Sequence, residues 1–353
     1  MRRKNPLIIG AGPAGCAAAI GLARAGAQPL ILERARDTGD ALCGGFLSWR
    51  TMATLNRLGV AISGHPIHRL RVFAGAAMAE AALPEPAFGV SRRAMDTALI
   101  AAAQAAGAGL DRGVTVRHLD EVKDQADALF LATGKHDLKG AERPRTATDP
   151  ALGLRIRLPA SAHRSAQIAD AIELHLFDRG YAGIELQEDG SANICLALRK
   201  SLLSESGRDP AALLHRLAAD HPHFGDRLAG FSAQTPIDAI AAVPYGWRQR
   251  GADAAGLFRL GDQCAVIPSL AGEGNGIALA SGESAAAAYL QGLGGADWQP
   301  LFARRTARPV GLATLAWRLG ERPAGGRAIT HLLRHLPSLA AGLARATRVT
   351  PGA

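Results

Sequence analysis

The sequence predicts an α/β protein: a Rossmann-like dinucleotide-binding domain interleaved with a mostly antiparallel β-sheet domain, plus C-terminal helices. Three observations predict it. The chain opens as strand, glycine turn, helix, strand and acid. Residues 150–250 then change to strand-like runs divided by turn residues, a different architecture from the opening βαβ unit. From Trp298 the chain is helical and rich in leucine, alanine and arginine.

The opening is Pro6-Leu7-Ile8-Ile9 followed by Gly10-Ala11-Gly12-Pro13-Ala14-Gly15. Gly10 permits the sharp turn off the strand, Gly12 lets a pyrophosphate approach the backbone, and Gly15 lets the helix pack on the strand. A helix over residues 16–25 then presents its N-terminal N–H groups and partial positive charge to the phosphates. Leu30-Ile31-Leu32 is the second strand, and Glu33 ends it, about twenty residues on, where an acid accepts from a ribose. A glycine turn, Cys43-Gly44-Gly45, leads into a helix carrying Trp49, Met52, Leu55 and Leu58 at helical spacing. Residues 68–83 read as a hairpin that Pro84 and Pro86 end. Ser91 is the expected N-cap of a helix running to residue 106. Residues 114–119 form a short strand, and 128–134 a buried strand entering a turn at Thr133-Gly134. Strand-like runs follow at 152–158, 171–176, 183–186 and 193–198, then a helix at 209–219. Residues 257–262 return to a buried parallel-type strand, and 277–290 to an alanine-rich helix.

The chain has 353 residues, 48% of them hydrophobic, enough for one large or two interleaved domains. The net charge of +9 draws anionic partners weakly. Its arginines are scattered with few aromatics between them, and no zinc-finger, RNP or helix-turn-helix signature occurs, so nucleic acid is not the expected partner. Cys16, Cys43, Cys195 and Cys264 lie far apart with no CxxC, against a dithiol flavoenzyme or zinc ribbon and in keeping with a reducing cytoplasm. Met1-Arg2-Arg3-Lys4 imitates a signal peptide, but Gly10, Gly12, Pro13 and Gly15 would break its apolar helix. No run of about eighteen apolar residues is present to span a membrane. His221-Pro222-His223 has no third ligand nearby, so no metal is expected.

A second constellation is Gly261-Asp262, followed by Pro268 and the cluster Gly272-Glu273-Gly274-Asn275-Gly276. An aspartate at a strand end can accept from a ribityl hydroxyl. Clustered glycines let backbone amides and a helix dipole reach a ring oxygen, stabilising charge on a reduced isoalloxazine.

With these two motifs in this order, residues 5–292 resemble the FAD-dependent monooxygenase superfamily of para-hydroxybenzoate-hydroxylase fold. The geranylgeranyl-reductase-like branch, with its Cys-Gly-Gly turn, is the most similar. The resemblance implies FAD held by Gly10, Gly12, Pro13, Ala14, Gly15, Glu33, Arg34, Gly44, Arg92, Thr133, Gly134, Gly261, Asp262, Pro268, Gly272, Gly274, Asn275 and Gly276. It implies an FAD-binding domain of residues 1–62, 88–140 and 255–296, a substrate domain of 63–87 and 141–254, and a C-terminal helical segment of 297–353. The segment Phe177-Asp178-Arg179-Gly180-Tyr181-Ala182-Gly183 resembles the strand passing over the flavin. Where the monooxygenases carry Asp-Gly, this chain has Ala132-Thr133-Gly134-Lys135, and no second GxGxxG holds a nicotinamide cofactor. NAD(P)H is therefore expected as a transient reductant, unless another protein supplies the electrons.

Cys43 by resemblance lies at the ring as a contact or proton donor; otherwise it is a small buried residue. Glu273 is a proton relay or a charged helix cap. Tyr181, Tyr245 and Trp247 line a substrate pocket or simply pack on the sheet. The C-terminal helices cover the core, form a dimer face or lie on an anionic membrane; monomer and homodimer both stay open. The expected activity is hydroxylation of an apolar aromatic or polyketide-type molecule through a flavin C4a-hydroperoxide. The alternatives are reduction of C=C bonds of an isoprenoid or lipid, and a non-catalytic flavin redox sensor. The Trp-x-Trp-x-x-Pro run of flavin halogenases is absent. A cytoplasmic location, with peripheral membrane contact through the tail, is the accompanying expectation.

Overall fold

Short apolar runs bounded by glycine form the first sheet. Its strands are β1 (Leu7–Ile9), β2 (Leu30–Glu33), β6 (Gly109–Arg112), β7 (Leu129–Leu131) and β13 (Leu257–Arg259). All pairs are parallel, in the order β13-β7-β1-β2-β6. The computed structural model describes residues 5–144, 147–251, 254 and 256–350; the basic start Met1-Arg2-Arg3-Lys4 lies outside the described residues. Helices α1 (Pro13–Arg24), α3 (Arg92–Ala105) and α8 (Gly274–Leu290) accompany this sheet. Alanine and glycine let α1 and α8 touch: a Cβ on Gly282 would stand 2.3 Å from the Ala14 carbonyl. Behind them Phe130 stacks on Phe258 with centroids 4.8 Å apart.

The second sheet has eight strands in the order β12-β8-β11-β10-β9-β4-β5-β3. They are β3 (Phe46–Leu47), β4 (His65–Ala74), β5 (Ala77–Gly89), β8 (Ala151–Leu158), β9 (Ala171–Phe177), β10 (Gly180–Leu186), β11 (Ala192–Arg199) and β12 (Ile237–Val243). Only β4 and β9 run parallel to each other. Its outer face is covered by α4 (Ala162–Ile168), α5 (Lys200–Ser204), α6 (Pro210–Asp220) and α7 (Pro222–Arg227), through Leu213, Leu214 and Phe224. In this layer His221 and His223 pack on Phe177 and Phe73. Helix α2 (Trp49–Arg57) joins the two sheets. Helices α9 (Gly295–Arg305), α10 (Ala307–Gly320), α11 (Pro323–His335) and α12 (Ser338–Ala346) close the chain, the last two packing on β5. Among the described residues no helix is long and apolar enough to cross a membrane.

Two expectations need correction. The hairpin does not end at Pro84 and Pro86: β5 continues to Gly89. The pairing shifts between Ile67 and Arg69, so both prolines fall in a bulge where no ladder N–H is needed. Residues 114–119 are not a strand either. The edge strand is β6, just before Gly113 with φ +77°, because Val114-Thr115-Val116 has left the sheet. Ser91 does cap α3, accepting from the Ala94 N–H at 3.1 Å.

Candidate functional site

The C-terminal ends of β1, β2, β7 and β13 open on one side of the parallel sheet, where ligands of such sheets bind. Each glycine of the opening turn has its own reason. Gly10 has φ +107°, and a Cβ there would lie 2.5 Å from the Ala132 carbonyl. A Cβ on Gly15 would lie 2.0 Å from the Gly10 carbonyl. At Gly12 a Cβ meets only Arg92, at 3.8 Å. The second glycine therefore faces open space, and α1 begins above it with no side-chain cap on its first-turn amides. Glu33 accepts from the backbone N–H groups of Ala11 and Ala35, each at 2.8 Å. These two bonds fix the carboxylate at the cavity wall and leave lone pairs for hydroxyl donors. Arg92 forks onto Asp96 at 2.8–3.0 Å beside the turn, and Arg34 stands 2.8 Å from His136.

A cavity of about 1710 Å³ runs from this turn past Asp262 and Cys43 to the C-terminal helices. That exceeds the ~300–1,000 Å³ of single-ligand pockets, leaving room for a dinucleotide and a second molecule. Thr133, Gly134, Gly261, Gly272, Gly274 and Asn275 line it. Gly44 and Gly274 face empty space, so backbone can approach a planar ring. Pro268 and Gly276 do not line the cavity; a Cβ on Gly276 would strike Glu273 at 2.5 Å. Lys135, which follows Thr133-Gly134, reaches Asp262 at 3.6 Å.

The Cys43 sulfur lies in the cavity wall. It accepts from the Gly45 N–H at 3.5 Å and from Asn275 Nδ2 at 3.6 Å. Its carbonyl accepts from Asn193 Nδ2 at 3.0 Å and from the Cys195 thiol at 3.1 Å. Tyr181 and Tyr245 also line the cavity, and both hydroxyls meet Ser269 Oγ, at 2.5 and 2.8 Å. Burial pushes the Tyr181 hydroxyl well up and Tyr245 to about 12, so both stay neutral.

Two further predicted residues lie outside the lining. Trp247 is outside the lining: its backbone pairs with Pro244 and Val266 in a turn beyond β12. Glu273 stands at the N-cap position of α8, but its side chain makes no cap hydrogen bond. It is 1% exposed, and its carboxylate turns away from the cavity to Arg348 Nη1 at 2.6 Å and the Val349 N–H at 2.9 Å. Arg348 also donates to the carbonyls of Ala271 and Gly272, so the end of the chain holds the glycine loop. A contact spanning 75 residues leaves no local pattern to read.

Sequence reasoning also missed Glu185. It shares a face of β10 with Tyr181 and Gly183, which period-two alternation would have indicated. It lies under the Cys43-Gly44-Gly45 turn; a Cβ on Gly45 would fall 2.1 Å from its Oε1. Neither oxygen has a hydrogen-bond partner, and burial, with Cys43 and Glu188 nearby, pushes this carboxyl well up. Burial therefore favours its neutral form.

Residues 4–142 match the sequence family described as FAD binding domain. The first part of the chain is therefore an FAD-binding domain of that family. It is 28% identical to the menaquinone reductase of Mycobacterium tuberculosis over 309 residues, covering 79% of this chain and 75% of that protein. It is 27% identical to the menaquinone reductase of Mycolicibacterium smegmatis over 344 residues, covering 88% and 83%. The flavin-dependent brominase Bmp2 superimposes with a TM-score of 0.80 at 14% identity, covering 99% of this chain and 94% of the other. PqsL of P. aeruginosa, in complex with 2-aminobenzoylacetate, gives 0.73 at 14%, covering 94% and 100%. The uncapped helix, the open side of Gly12, the anchored Glu33 and the bare Gly44 and Gly274 fit FAD.

Proposed function

We propose that this oxidoreductase reduces carbon–carbon double bonds of a long isoprenoid or lipid-quinone substrate, the alternative to hydroxylation raised by the sequence. The observation that carries the proposal is the continuity of the cavity. From the Cys43 turn it extends between Leu174, Leu176 and Leu312 to Leu332, Leu339 and Leu343 on the last helices. A small aromatic would need no such length, whereas a prenyl chain would bury its apolar surface along it. The relatives named menaquinone reductase agree with that choice.

FAD, when bound and reduced, supplies hydride chemistry at the ring face. The chain's own residues do the rest. Leucines exclude water and align the substrate. Cys43 holds a proton on Sγ at the cavity wall, and that proton goes to the substrate carbon opposite the one receiving hydride. Asn275 and the Gly45 N–H steady the sulfur once the proton has left. NAD(P)H, binding transiently, returns the two electrons.

The second reading, hydroxylation of a compact aromatic, is favoured by the Tyr181–Ser269–Tyr245 cluster, which could hold a phenolic oxygen. One experiment separates them. The reduced protein is mixed without oxygen with a polyprenyl quinone, and flavin reoxidation and product mass are followed. Reoxidation is expected with a gain of two hydrogens that the product keeps after air has returned any quinol to the quinone, which places them on a carbon–carbon bond. Reoxidation only with oxygen, and a product gaining one oxygen atom, would overturn the proposal. Cys43→Ser is expected to retain FAD and slow the double-bond reaction by roughly 10²–10⁴-fold.

A further inference from the structure

The tail beyond residue 300 has an unusual charge. Residues 301–350 hold nine arginines against one acid, Glu321, and so carry +8 of the chain's +9. Arg348 and Glu321 are committed internally, to Glu273 and Arg199. Arg318, Arg322, Arg327, Arg334 and Arg345 are exposed. The same helices expose large apolar side chains: Leu315 is 57% exposed, Leu332 47%, Leu336 51% and Leu339 45%. Soluble surfaces seldom gather such side chains in one patch. Leu315, Leu332 and Leu339 also line the cavity, so the patch is the rim of its mouth.

We infer that α10, α11 and α12 form a docking face for an anionic bilayer, with the cavity opening onto the lipid. Leucines at the rim enter the acyl boundary, while arginines on the same helices extend their stems and keep the guanidinium groups among anionic headgroups. The charge complementarity selects an anionic membrane over a neutral partner: exposed cations near such a surface act additively. A mouth set in the docking face lets an apolar molecule pass into the cavity without crossing water. The inference rests on exposure and charge and stands whichever reaction the ring performs; the lipid substrate proposed above gives it a purpose.

The test is co-sedimentation of the full-length, FAD-loaded protein with vesicles. One set is phosphatidylcholine alone, and the other contains about a third phosphatidylglycerol. The expected result is binding to the anionic vesicles, weakened strongly by raised salt, and little binding to the neutral ones. Leu336→Glu and Arg334→Glu change side chains that are exposed and outside the cavity lining. Each should keep the flavin spectrum and weaken vesicle binding roughly tenfold or more. No binding to either vesicle, equal binding to both, or a dimer in light scattering that Leu336→Glu dissociates would overturn the inference. The readout contains no turnover, so its failure is separate from failure of the reductase reading.

Discussion

Gly12 illustrates how one missing side chain serves a ligand rather than the fold. Its neighbours Gly10 and Gly15 are required by backbone contacts closer than 3 Å, whereas a Cβ on Gly12 would only touch Arg92, at 3.8 Å. Gly12→Glu should fold with an unchanged far-ultraviolet spectrum and emerge without FAD; yellow protein would refute the assignment of the turn. Glu185 is the opposite case, a carboxyl that the fold keeps but leaves without partners. Its folded pKa lies above its unfolded value because of burial. The neutral form is therefore favourable below about pH 4, and stability falls as pH rises above the unfolded value. Glu185→Gln should raise the melting temperature at pH 8 and leave it unchanged near pH 4. An equal shift at both pH values would show that burial does not raise the Glu185 carboxyl. The glycines were legible in the sequence because their spacing is local. Glu185 was not, because nothing local says that a glycine turn 140 residues earlier lies on top of it.

At the scale of elements, the glycine loop before α8 depends on a distant piece of chain. Arg348 holds two carbonyls of that loop and the buried Glu273. Burial pushes the Glu273 carboxyl up, and Arg348 with the Val349 N–H opposes it. Arg348→Met leaves a buried charge without its partner, which should cost about 3–5 kcal/mol in denaturant unfolding. Retention of FAD should weaken with it. Adding Glu273→Gln should recover most of that stability; no recovery would mean that Arg348 acts only through the carbonyls. β5 shows a related limit on reading elements one at a time. Two prolines looked like a strand end, yet a bulge against β4 absorbs them. A second element decided whether their missing N–H groups mattered.

At the scale of the molecule, the cavity is bounded by the parallel sheet, the eight-stranded sheet and the last three helices together. No single segment contains it. Its length is therefore set by how these layers stack, and its mouth by where α11 and α12 settle over β5 and α10 packs on both. Narrowing the mouth should discriminate by substrate length. Leu315→Trp, at an exposed rim position, should raise KM for long prenyl quinones while short-chain analogues react as before. Equal effects on both lengths would place the substrate path elsewhere.

The sequence by itself determined local geometry: the glycine turn at Gly10, Gly12 and Gly15, the acid Glu33 at the end of β2, and the passage from Gly261-Asp262 through a glycine cluster into α8. Each acts through backbone geometry and short-range spacing, which a linear reading preserves. The tertiary structure alone decided that Glu273 faces Arg348, that Trp247 misses the cavity, that Glu185 lies beneath Cys43, and that exposed leucines rim the mouth. Those facts depend on contacts between residues far apart in the chain, made when two sheets and a helical layer bury their apolar faces against one another. The energy of that burial is nearly indifferent to which polar group it traps, so position along the chain carries little trace of it.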